Sequence, residues 1–110
     1  MATINNLYID QGTTYTATIQ VFDSTGDPLN LAGFTAAAQI RKNYATNTIS
    51  ANFIAEVLDA ANGTLNLSLT RGDTGNLKYG RYVYDVEITS GNTTLRAAEG
   101  IVVVNPQVTR

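Results

Sequence analysis

Apolar and polar residues alternate with a period of two along most of this chain. From Tyr15, the residues Tyr15, Ala17, Ile19 and Val21 fall on one side, and Thr14, Thr16, Thr18 and Gln20 on the other. The pattern returns with Phe34, Ala36, Ala38 and Ile40, then with Ile49, Ala51, Phe53, Ala55 and Val57, and again with Leu65, Leu67 and Leu69. It returns once more with Tyr82, Tyr84, Val86 and Ile88. Successive side chains of a strand point to opposite faces, so this pattern specifies half-buried strands. The breaks are turn-formers: "DSTGDP" at 23–28, "DAANG" at 59–63 and "SGN" at 90–92. Asn62-Gly63 supplies the positive φ that a tight hairpin requires. Turn signals recurring about every 8–12 residues fit a sandwich or barrel of about seven strands.

Two stretches depart from simple alternation. "TRGDTGNL" (70–77) places Asp73 three residues after Thr70, the signature of a capped helix start, so a short helical crossover is expected there, closed by Leu77. In "TTLRAAEGIVVVN" (93–105), Gly100 marks a bulge that shifts the phase of the last strand. Read without that shift, Val102 and Val104 fall on the outer face, together with Ile54, Leu58 and Val83 from earlier strands.

Composition narrows the chemistry. With 110 residues and 44% hydrophobic content, the chain is expected to form a single domain over residues 1–110 with one core. Histidine, cysteine and tryptophan are all missing. No disulfide can support the core, and neither a histidine-based nucleophile nor a thiolate or imidazole metal site can be built. Seven basic residues against nine acidic ones, a net charge of −2, leave no electrostatic footprint for nucleic acid or an anionic membrane. "MATINNLYIDQG" lacks the basic start and apolar run of a secretory leader, so synthesis and residence in a cytoplasm are expected.

The remaining candidates for chemistry are carboxylates. Asp85 and Glu87 share one face of a strand about 7 Å apart, a separation compatible with a glycosidase pair. Such acids need a dry pocket and aromatic platforms for the sugar. Here the neighbouring tyrosines alternate to the opposite face, so the two acids read as surface charges facing Arg41, Lys42 and Arg96. Asp23, Asp27 and Asp59 read as turn residues rather than calcium ligands, because their loops lack the oxygen-ligand density of a calcium loop. No catalytic, cofactor or metal residue is assigned. Gly80-x-Tyr82-x-Tyr84 has the spacing of a tyrosine corner, in which a hydroxyl bonds upstream backbone and pins a crossover to its strand. This favours an immunoglobulin-like antiparallel β-sandwich. Tyr44, Ile54, Val83, Val102 and Val104 are the candidate interface residues.

Taken together, "NLYIDQGTTYTATIQVFDSTGDPLNLAGFTAAAQIRK" and "GTLNLSLTRGDTGNLKYGRYVYDVEIT…EGIVVVNPQVT" resemble small structural proteins of tailed bacteriophages, especially cyanophage myoviruses. They are also similar to the immunoglobulin-like N-terminal domain of phage baseplate upper proteins. "L-x-x-G-R-Y-x-Y-D-V" carries most of that resemblance. It implies a non-enzymatic virion protein of the tail or baseplate, made in the host cytoplasm. Its partners would be other virion proteins or further copies of itself, with no nucleic acid, membrane or cofactor. A capsid decoration or head-fibre role belongs to the same class. The rival from another class is a carbohydrate-binding module that recognises a host surface.

Overall fold

The computed structural model describes residues 3–109; Met1 and Ala2, which open the segment read for a leader, and Arg110 lie outside the described residues. Eight strands and one helix follow in the order β1 (Thr3–Ile4), β2 (Leu7–Asp10), β3 (Tyr15–Gln20), β4 (Thr35–Arg41), β5 (Ala51–Asp59), β6 (Thr64–Leu69), α1 (Arg71–Asn76), β7 (Gly80–Ser90) and β8 (Thr93–Asn105). The spatial order is β1-β8-β7-β4-β5-β6-β3, with β2 beside β1 on β8. Since β1 and β2 both run parallel to β8, they act as one edge strand interrupted at Asn5–Asn6, which brings the sheet to seven strands. Every other pairing is antiparallel.

The two layers are joined by β5. Its first residues, Ala51–Phe53, pair with β4, while Ile54–Asp59 pair with β6. A single long strand therefore turns the corner, and the result is a nearly closed, immunoglobulin-like all-β fold. The apolar phase of each strand fills the space between the layers. Ile19, Val21, Leu65, Leu67 and Leu69 meet Ile40, Phe53, Tyr84, Val86 and Ile88 in one core. At about 25 cal/mol per Å² of apolar surface, burying each of these side chains contributes roughly 1.5–3 kcal/mol. Ile49 is the exception to the alternation, half-exposed ahead of the start of β5.

The phase shift of β8 is real but sits elsewhere. Val86 pairs with Ala98 and Glu87 with Arg96, so Ala97 is the inserted residue. Both Ala97 and Ala98 are buried, and beyond them Val102 and Val104 point into the core at 0% and 2% exposure. Their assignment to an interface is therefore overturned: a one-residue insertion moves every later side chain to the opposite face. Gly100 has a different role. A Cβ there would lie 2.1 Å from the carbonyl oxygen of Asn5. The missing side chain lets the interrupted edge strand lean onto β8.

The crossover forms as its sequence predicts despite Gly72 and Gly75. Thr70 Oγ1 accepts from the Asp73 amide at 3.1 Å, and the Thr70 amide donates back to the Asp73 carboxylate. Thr74, fully buried, donates its hydroxyl to the Thr13 carbonyl at 2.7 Å, tying the helix to the β2–β3 turn. These bonds offset the glycines' low helix propensity over one and a half turns.

Both tyrosines of the Gly80-x-Tyr82-x-Tyr84 segment bond upstream backbone. The Tyr82 hydroxyl donates to the Lys78 carbonyl at 2.6 Å, and the Tyr84 hydroxyl donates to the Asn5 carbonyl at 2.7 Å. Gly80 opens β7 at a φ of 137°. Burial pushes the Tyr84 phenol from 10.0 up to about 12, with the neighbouring Tyr15 hydroxyl acting in the same direction. Tyr15 and Tyr82 are also shifted up by burial. A native state that holds its phenol protons more tightly than the unfolded chain is fully stabilised below pH 10. It loses that stability as pH rises from about 10 through about 12. Denaturation midpoints measured from pH 8 to pH 12 are expected to fall steeply above pH 10. The fall should be shallower in Tyr84→Phe.

Candidate interaction surfaces

Three of the five candidate interface residues remain at the surface, and they fall on two different faces. Tyr44 is 70% exposed in the β4–β5 connection, Ile54 is 49% exposed on β5, and Val83 is half-buried on the outer face of β7.

The first surface is the outer face of β4, β7 and β8 together with the connection above it. Gln39 on β4 stands opposite Asp85 on β7, and Asp85 opposite Glu99 on β8. The Arg96 Nε lies 3.5 Å from Asp85 Oδ2, an ion pair on the solvent side of the sheet. Glu87 is exposed. Of the three basic residues expected beside these acids, Lys42 is elsewhere: its ammonium lies 4.7 Å from the Tyr82 ring centroid. Arg41 instead turns toward the connection, donating from Nη1 to the Thr46 carbonyl and from Nη2 to Gln39 Oε1, each at 2.9 Å.

The connection has its own internal order. Asn43 Oδ1 accepts from the amides of Ala45 and Thr46, and Thr46 Oγ1 accepts from the Thr48 amide. Short polar side chains that bond backbone two or three residues on build this type of turn. Between connection and sheet lies a concavity of about 330 Å³, lined by Gln39, Arg41, Tyr44, Val83, Asp85 and Arg96 among others. "NYATNT" (43–48) also interrupts the alternation. Asn43 followed by Thr46 is the local sign in the sequence that this break is itself structured.

The second surface belongs to β3, β6 and β5. Register places Thr16, Ser68 and Ile54 in one row across the three strands, and Thr18, Asn66 and Glu56 in the next. The far edge of β3 pairs with nothing among the described residues. Unlike the β1–β2 edge it is unbroken, and it is longer than the free Thr35–Ala37 segment of β4. β1 and β2 are interrupted, and the free half of β5 carries charged Glu56 and a bulge between Val57 and Asp59 that leaves Leu58 64% exposed. β3 has six residues without charge, proline or register shift, and presents Thr16, Thr18 and Gln20 to solvent. Charges, bulges and interruptions are the usual means of blunting an edge.

The loop aspartates build turns. Asp23 Oδ1 accepts from the Thr25 hydroxyl at 2.6 Å and from the amides of Thr25 and Asp27. The Thr25 hydroxyl and these amides hold its carboxyl below the usual carboxylate range. Asp59 accepts from the Asn62 side chain in a separate turn.

No protein-family model and no curated protein matches this sequence. Its fold is similar to that of several solved structures. The N-terminal domain of phage TP901-1 ORF48 superposes with a TM-score of 0.63 at 15% identity, over 92% of this chain and 85% of that one. CopC from Methylosinus trichosporium OB3b superposes with a TM-score of 0.53 at 13% identity, over 94% and 89% respectively. InlP from Listeria monocytogenes gives 0.50 at 14% identity, and there the match spans 28% of that chain. At these identities the likeness is one of fold.

Proposed function

We propose that this chain is a non-enzymatic structural protein of a phage particle, associating with neighbouring proteins through the β3 edge and the adjoining outer face of β6 and β5. The observation that carries this reading is the undefended β3 edge, with Ile54 and Leu58 exposed two strands away on β5. An open row of backbone donors and acceptors accepts a strand from another chain, and β-branched Thr16 and Thr18 suit the new neighbours. The fold's similarity to a phage protein domain, over most of both chains, supports the setting. A tail or baseplate position is the specific form of the proposal, with a second copy or another virion protein as the partner.

Two measurements test it. Light scattering across a concentration series should give a mass above that of the monomer, returning to monomer in the Thr16→Lys/Thr18→Lys double variant, which charges the edge. A monomer at every concentration would remove self-association through β3. Mass spectrometry of purified particles should find the chain in multiple copies, and its absence there would overturn the virion assignment.

A further inference from the structure

The concavity between the β4–β7–β8 face and the 43–48 connection is unrelated to the β3 edge and has features that assembly does not require. From its lining chemistry we infer that it binds a neutral polyhydroxylated ligand, such as one sugar unit of a glycan. The volume, about 330 Å³, falls in the range of small-ligand clefts, ~300–1,000 Å³.

The lining balances charge. Arg41 and Arg96 stand against Asp85 and Glu87, so the cavity offers no net charge to select an anion or a cation. It offers donors and acceptors side by side. Gln39 Oε1 is held by Arg41, which fixes the amide, and no bond engages its NH2 group among the described residues. Asp85 meets Arg96 through Oδ2, leaving acceptor capacity on the same carboxylate. Hydroxyl groups both donate and accept, so a polyol satisfies such a mixed lining. A phosphate would face two carboxylates, and an ammonium would face two guanidinium groups.

The third element is Tyr44. The residue is 70% exposed, yet the connection carrying it is tied down by four hydrogen bonds, one from Arg41 and three within the turn. An exposed aromatic on a preordered loop beside a polar floor provides the apolar platform on which the C–H face of a sugar ring stacks. Preordering also lowers the entropy lost on binding.

The test is a titration of isotopically labelled protein followed by amide NMR. The probes are glucose, galactose, N-acetylglucosamine and cellobiose, each to tens of millimolar, with sodium phosphate as the anionic control. At least one neutral sugar should shift amides of residues 39–47, 83–87 and 96. Tyr44→Ala and Gln39→Ala should each weaken that response tenfold or more while the remaining spectrum stays that of the folded protein. No response to any sugar, an equal response to phosphate, or shifts confined to other residues would overturn the inference. None of these outcomes bears on the solution mass, so failure here and failure of the assembly reading are distinguishable.

Discussion

Gly100→Ala is expected to destabilise the domain by several kcal/mol, although alanine is otherwise tolerated in a strand. Gly100 is the register partner of Tyr84, and both face inward. The volume that a side chain at position 100 would fill is occupied by the Asn5 carbonyl, which accepts the Tyr84 hydroxyl at 2.7 Å. Around this point the Asn5 amide donates to the Glu99 carbonyl, and the Ile101 amide donates to Asn6 Oδ1. A methyl group 2.1 Å from a backbone oxygen cannot be absorbed by a rotamer change. The edge strand must lift, and the buried phenol loses its acceptor. Overpacking costs ~1–3 kcal/mol and an orphaned buried hydrogen-bonding group ~1–3 kcal/mol, so about 2–6 kcal/mol is expected. Denaturant melts of Gly100→Ala, Tyr84→Phe and the double variant measure this. The two single effects should not add, because both act on the same Asn5 carbonyl. A loss below about 1 kcal/mol in Gly100→Ala would mean that the edge strand is dispensable to the fold.

Gly63→Ala is the second large effect, and here two causes combine. Gly63 closes the β5–β6 hairpin at a φ of 67°, where an L-residue costs roughly 1–2 kcal/mol. A Cβ would also lie 2.6 Å from the Val21 carbonyl oxygen and 2.7 Å from that of Leu29. Those carbonyls belong to a junction in which the Val21 amide donates to the Gly63 carbonyl and the Leu29 amide donates to the Val21 carbonyl. The hairpin is therefore stitched to the end of β3 and to the segment leading into β4. With steric displacement adding ~1–3 kcal/mol, the total is about 2–5 kcal/mol. Gly26→Ala is the control. Its φ of 91° is also positive, but no atom lies within 4 Å of the added Cβ, so it should lose only the conformational part. Equal losses in the two variants would show that the close approach contributes nothing.

Much of this was legible beforehand because strand periodicity is local. The inward sets of β3, β4, β6 and β7, the capped helix after Thr70 and the bond from Tyr82 to upstream backbone each depend on residues within a few positions of one another. The Thr70–Asp73 box and the Tyr82–Lys78 bond span three and four residues. The outward placement of Asp85 and Glu87 followed from the same alternation. Their basic neighbours divided differently, because Lys42 found the Tyr82 ring and Arg41 the 43–48 connection.

By itself the sequence determined the fold class, the alternating faces and the kinds of chemistry within reach, since these follow from side-chain period and from which residue types are present. Tertiary structure decided what depended on distant partners. A glycine within a strand signals either a bulge or a close backbone approach. Only the arrival of Asn5, far away in the chain, made Gly100 the latter, while the insertion fell at Ala97 and turned Val102 and Val104 inward. The pairing of β1 and β2 with β8, the open edge of β3 and the concavity under Tyr44 arise in the same way. Each is set by where strands far apart in sequence meet, and no local spacing encodes that meeting.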